Sequence, residues 1–206
     1  MASEDDLAGL LDREVVRLFS LVSEAVAGAT DALLSGEALA GRRIVAADES
    51  VDELTRELSE RIWHEVEQLA PAGAELRRLV GLLLILPELE RSADLAEHIA
   101  QRAVNHLGPE MSPVSRGVVQ RMSEVAIKMW REVAEGYLFG GALSASLDEA
   151  DEELDILHGR LTSEVATSTM PSSIGAQVTL LARFYERLGD HAVNLARRIE
   201  VLDRGP

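Results

Sequence analysis

Glu186-Arg187-Leu188-Gly189-Asp190-His191-Ala192-Val193-Asn194-Leu195-Ala196, near the end of the chain, is a second copy of Glu90-Arg91-Ser92-Ala93-Asp94-Leu95-Ala96-Glu97-His98-Ile99-Ala100. Glu, Arg, Asp and two alanines hold the same relative places in both. The duplication extends upstream. Asp48-Glu49-Ser50-Val51-Asp52 is matched by Asp151-Glu152-Glu153-Leu154-Asp155, each reading Asp, Glu, any residue, aliphatic, Asp. The chain is therefore an internal repeat with two acidic pairs in each half.

Around these segments apolar residues recur every three and four positions over long stretches, which is the period of a buried helix face. The predicted fold is all-α: two tandem, pseudo-symmetric three-helix bundles, residues 1–108 and 109–206. The first helix is expected from about Asp6 to Leu34, ending near Gly36. The second runs from about Glu37 to Ala70 and stops at Pro71; the third runs from about Ala74 to His106. Gly108-Pro109 and Pro113 read as the joint between the halves. The second half repeats the plan, with helices over about Pro113–Phe139, Ala142–Ala166 and Ile174–Leu202, broken at Gly140-Gly141 and around Pro171.

Hydrophobic residues make up 47% of the 206, but aromatics only 3%, so the core must be built mainly from Leu, Val, Ile and Ala. On the third helix Leu82, Leu86, Leu89, Ala93 and Ala96 form the predicted buried stripe, with Glu90 and Asp94 at its edge. A net charge of −16 disfavours direct contact with nucleic acid or an anionic bilayer. There is no cysteine, which excludes disulfides, thiolate metal sites and cysteine nucleophiles. The N-terminus, Met1 to Asp6, is acidic where a signal peptide would be basic. The longest apolar run, Leu79 to Pro87, falls short of the roughly 20 residues that span a bilayer. The expected location is the cytoplasm.

Side chains at i and i+4 stand one above the other on a helix. Asp48 and Asp52 share a face, as do Glu90 and Asp94. If the two helices are antiparallel neighbours, the pairs converge, and the mirrored quartet is Asp151, Asp155, Glu186 and Asp190. Carboxylates about 6 Å apart at an effective dielectric near 20 repel by roughly 3 kcal/mol per pair. Cations or protons must then neutralise the cluster. Hard oxygen donors suit Mg²⁺, Ca²⁺, Mn²⁺ or iron. His98 and Asn194, one turn further on, stand where they can complete a site or bond its ligands. A single Glu-x-x-x-Asp more often marks a solvated face; duplication on matching helices shifts the balance towards ligands.

Arg91 and Arg187 recur in both copies and read first as counterions to the acidic clusters. Gly189 matches Ala93, so a small residue is needed there for close helix packing. His191 matches Leu95, which argues against a required imidazole. His64, His106 and His158 read as ordinary polar positions, and Trp63 and Trp130 as core or helix-seam residues. The sequence contains no Gly-rich phosphate loop, nucleophile elbow or His-Glu-x-x-His helix. The Glu-x-x-His pairs of a di-iron oxidase bundle are also missing from the proposed acidic pairs.

The run Glu186 to Arg198, both Asp-Glu-x-aliphatic-Asp segments, the Leu76-Arg77-Arg78 opening and the tandem plan together resemble the PhoU family of phosphate-transport regulators. The resemblance implies paired three-helix bundles bearing multinuclear metal clusters (iron, manganese, magnesium or zinc). Their ligands would be Asp48, Asp52, Glu90, Asp94, Asp151, Asp155, Glu186 and Asp190. It further implies a non-enzymatic negative regulator of phosphate uptake and of the phosphate-starvation response, acting as a homodimer. Its implied partners are the ATPase of the Pst phosphate transporter and a membrane sensor histidine kinase. The competing reading is a carboxylate-bridged metalloenzyme, an oxidase or phosphatase. The first half departs from the family motif at Ser92, Ala93 and His98. Pro87, one turn earlier, should kink the helix or cost about 3 kcal/mol. The second quartet is therefore expected to be the firmer metal site.

Overall fold

The computed structural model describes residues 4–140 and 144–204, with side chains described for 9–140 and 145–200. Among the described residues six long helices and one short one follow in order: α1 (Glu4–Ser35), α2 (Ala38–Leu69), α3 (Gly73–Val104), α4 (Leu107–Glu110), α5 (Pro113–Phe139), α6 (Ser144–Thr167) and α7 (Ser172–Arg204). No strand occurs among the described residues. The expected helix start at Ala142 and the breaker Gly141 lie outside the described residues.

The helix ends follow from local chemistry. At the end of α1, Gly36 takes a left-handed φ of 76°. That places the Glu37 N–H on the Ala32 carbonyl (3.0 Å) and the Gly36 N–H on the Leu33 carbonyl (3.3 Å), the bonding of a Schellman stop. Helix α2 ends on Ala70, itself left-handed at φ 44°, and Pro71 prevents continuation. Ser112 opens α5: its hydroxyl accepts from the Ser115 N–H at 3.0 Å, with Pro113 in the first turn.

Within each half three long helices pack together, and the halves join through α1 against α5 and α3 against α7. The core is continuous across this joint. The scarce aromatics are concentrated there. Phe19 of α1 lies 6.2 Å from Trp130 and 5.7 Å from Tyr137, ring centre to ring centre. The Trp130 indole N–H donates to the Leu188 carbonyl of α7 at 3.2 Å. The Tyr185 and Thr30 hydroxyls are 2.6 Å apart. Large flat groups with one polar tip suit a seam where two helix layers must be filled and pinned. Trp130 is fully buried as expected, but Trp63 is 55% exposed, so its assignment to the core or a seam is corrected.

The joint itself is tighter than a linker. Leu107 and Gly108 are buried in α4. A Cβ on Gly108 would fall 1.8 Å from the Leu33 carbonyl oxygen, so only glycine permits this approach. Arg116 of α5 ties the junction by donating to the Gly108 carbonyl (3.0 Å) and to that of Leu34.

The stretch Gly9–Ser35 of α1 is long and apolar enough to cross a membrane by length and composition. Here its apolar face, including Leu11, Val15, Leu18, Val22 and Leu33, is buried in the core. Helix α3 runs unbroken through Pro87. Proline removes an N–H and disturbs the carbonyls of the preceding turn. Nearby, the Leu84 carbonyl accepts from Arg198 of α7.

Candidate metal centres

The predicted stripe Leu82, Leu86, Leu89, Ala93 and Ala96 is buried. It seats α3 so that Glu90 and Asp94 emerge at the edge facing α2. Asp48, Asp52 and Asp94 each offer a carboxylate oxygen within 4.8 Å of the others, making one cluster from two helices. Glu90 lies close enough for its charge to act on Asp48. Burial first, and then the charges of Asp52, Asp94, Glu97 and Glu90, push the Asp48 carboxyl up to about 6. Glu90 and Asp94 are also raised, chiefly by burial and then by Asp52; Arg91 opposes both shifts.

The second half sets the corresponding carboxylates on α6 and α7 near enough for their charges to act on one another, without the three-oxygen grouping of the first half. Asp151 is pushed up to about 6 by burial and then by Asp190, Asp155, Glu186 and Asp148. Glu186 is raised by burial and Asp190, against the opposing charges of Arg183 and His158. Its Oε2 is buried without a hydrogen-bond partner, while Oε1 takes Arg183. Gly189 explains how α6 comes so close. A Cβ there would lie 2.6 Å from Leu154 Cδ1 and 2.8 Å from Asp151 Oδ1. The missing methyl is the space the carboxylate occupies.

Both quartets are thus brought together, and Asp52, Asp155 and Asp190 remain exposed at their mouths. The tightest oxygen grouping among the described residues lies in the first half, despite its departures from the motif. The donor set fits a hard cation: all oxygen, partly buried, mutually repelling and in the second half incompletely hydrogen-bonded. Asp48, Asp52, Glu90 and Asp94 would hold one ion or cluster; Asp151, Asp155, Glu186 and Asp190 would hold the other. A bound cation would supply the positive charge that eight clustered carboxylates lack.

Several single-residue expectations change. Arg91 serves as a counterion in the first half, but beside Glu186 that part falls to Arg183 and His158 rather than Arg187. His98 stacks on Phe184 of α7, 5.3 Å between ring centres and 22° between planes, while its charge acts on Asp94. Asn194 is exposed.

His191, discounted because Leu95 stands in its place, is 7% exposed and sits with its Nδ1 2.9 Å from Oε2 of the 6% exposed Glu88. The contact lacks the alignment of a hydrogen bond. Arg198 donates to the other Glu88 oxygen at 3.0 Å. This buried bridge between α3 and α7 is a structural link that sequence reasoning missed. Its only sequence signal was asymmetry, since Glu88 and His191 each lack an equivalent in the other half. Burial lowers the His191 pKa from its ordinary value, with Glu88 opposing.

The geometry defines a class: a tandem helical bundle with carboxylates from two helices gathered in each half. A PhoU domain profile matches residues 15–103 and 119–199. The chain belongs to the PhoU family. It is 28% identical over 211 residues to a phosphate-specific transport system accessory protein PhoU homolog of Rhizobium meliloti, spanning 100% of this chain and 89% of the relative. It is 30% identical over 196 residues to the homolog of Caulobacter vibrioides, spanning 92% and 84% respectively. The crystal structure of PhoU from Pseudomonas aeruginosa superposes with a TM-score of 0.89 at 24% identity, covering 97% of this chain and 98% of that one. At that identity the likeness establishes the fold.

Proposed function

We propose that this chain is a cytoplasmic negative regulator of phosphate uptake and of the phosphate-starvation response. It acts as a metal-bearing adaptor between the Pst transporter ATPase and a sensor histidine kinase. The observation that carries the reading is a PhoU-family tandem bundle that gathers acidic pairs in each half, as a three-oxygen grouping in the first and through mutual charge effects in the second. The accessory role in phosphate-specific transport named for its relatives supports the phosphate connection.

The physical logic is charge neutralisation. Without cations, each cluster repels itself and leaves its helix faces loosely coupled. Divalent or trivalent ions in both clusters would cancel that charge, cross-link α2 to α3 and α6 to α7, and present partners with an ordered surface. A homodimer would place two such surfaces side by side. The role is non-enzymatic: the clusters organise a docking face and turn over no substrate.

Deleting the gene and following phosphate uptake and starvation-gene expression in phosphate-replete medium tests the proposal. The expected result is derepression of both, restored by the wild-type chain and not by E186A/D190A. Normal repression in the deletion strain contradicts it. Turnover of a redox or phosphate-ester substrate by the iron- or manganese-loaded protein would favour the metalloenzyme reading.

A further inference from the structure

The outward face of α1 floors a groove that the carboxylate clusters do not account for. Three adjoining clefts run along it, about 820, 350 and 230 Å³ in volume. The largest shares Ala27 with one neighbour and Arg43 and Ile44 with the other, and those two share Glu24. The groove is walled by α2 on one side and α5 on the other. Along α1 its floor extends from Phe19 to Ser35, about 24 Å at 1.5 Å per residue, or four to five turns of a docked helix.

Its chemistry is two-sided. Ala27, Gly28, Ile44 and Ile127 give small or aliphatic packing surface, all of it only partly buried. Seven carboxylates, among them Glu24, Asp31, Glu124 and Glu135, line it against two guanidiniums, those of Arg43 and Arg131. Glu24, Asp31, Glu124 and Glu135 are all exposed at the rim. An apolar floor with an acidic rim complements a helix that is apolar on one face and basic on its flanks. It repels acidic peptides and gives a nucleic-acid backbone no attraction.

We propose that this groove receives a basic amphipathic helix, four to five turns long, from a protein partner. The proposal rests on the reading of the chain as an adaptor that docks proteins, but on none of its metal chemistry. The groove lies on the α1 face, and only Asp48 belongs both to its lining and to a carboxylate cluster. The basic helix enters with its apolar face over Ala27 and Ile44, and its cationic side chains reach the α1 and α5 carboxylates.

The test uses the full chain in chelator. The probe is a synthetic 18-residue helical peptide with leucines on one face and lysines and arginines on the flanks, followed by fluorescence anisotropy. A peptide with glutamate at every basic position is the control. Because any strongly acidic protein attracts cations, location decides the outcome. Ala27→Trp fills the floor without changing charge, and D31K/E124K reverses the rim; each should weaken the basic peptide by about tenfold or more. E57K/E60K makes the same charge change on the distal part of α2 and should weaken it less than about twofold. Thermal unfolding confirms that each variant is folded, and the charge pair serves if Ala27→Trp is not. The proposal is overturned if the basic peptide binds these groove variants as tightly as wild type. Equal weakening by the remote pair, or equal binding of the glutamate peptide, overturns it too. If the peptide fails while the transporter ATPase or kinase is still recovered with the chain, the groove is wrong and the adaptor reading stands.

Discussion

Replacing Asp48 with Asn should stabilise the metal-free protein at neutral pH, although it alters a position read as functional. The Asp48 carboxyl is raised from 3.8 to about 6, by burial first and by its acidic neighbours next. A carboxylate raised in the folded state binds protons more tightly there than in the unfolded chain. Its ionisation therefore costs nothing below about pH 4, grows costly as pH rises towards 6, and costs most above that. At about 1.4 kcal/mol per unit the shift corresponds to roughly 3 kcal/mol. Asp48 is only half-buried, so solvent screening reduces this to about 1–2 kcal/mol. Asn keeps the shape and removes the charge. Denaturant unfolding in chelator should show D48N more stable by about 1–2 kcal/mol at pH 7.5 and unchanged at pH 4. With Mn²⁺ added at pH 7.5 the order should reverse, because ligand at a hundredfold excess over its Kd adds about 2.7 kcal/mol to the chain that binds it. A D48N protein less stable in chelator at pH 7.5, or shifted equally at both pH values, would refute the repulsion argument.

Three further outcomes follow from single contacts. Gly189→Ala gains about 1 kcal/mol of helix propensity, yet its methyl would press on Leu154 and Asp151, so thermal unfolding should show a net loss of about 1–2 kcal/mol. Metal affinity measured by calorimetry should fall with it in the second half alone. Glu88→Gln leaves Arg198 and His191 without their buried anion and should cost about 1–3 kcal/mol by urea unfolding; an unchanged midpoint would show that the α3–α7 bridge is inert. Gly108→Ala drives a methyl into the Leu33 carbonyl and should cost about 3 kcal/mol or more, with amide exchange accelerated around α4.

Most of the architecture was legible because its signals are local and repeated. The Gly36, Pro71 and Gly140 stops each have a backbone reason that a sequence displays. The carboxylate pairs were readable because i, i+4 spacing fixes a shared face and the duplication supplied the partner helices. What escaped was long-range. The Glu88–His191–Arg198 bridge joins residues on α3 and α7 over a hundred positions apart, and no periodicity reports which helix a buried acid will meet. The two copies are not interchangeable. His191 was discounted because Leu95 stands opposite, whereas the two halves use those equivalent positions against different neighbours. Ser92 and Ala93 depart from the motif in the first half, yet the closest oxygen grouping among the described residues lies there, since ligand spacing depends on the approach of α2 as well as on the motif. Trp63 was placed by residue type alone, and its helix turns it to solvent.

A chain that links phosphate transport to phosphate signalling through a metal-ordered bundle must carry its partners with it when phosphate is plentiful. Affinity purification of the tagged full chain from phosphate-replete cells, with quantitative identification of what accompanies it, tests this most directly. A Pst-type ATPase or a sensor histidine kinase should be recovered, reduced at least about tenfold when E186A/D190A and D48A/D94A are combined in a folded protein. Recovery of neither, or undiminished recovery by the cluster-deleted chain, would contradict it.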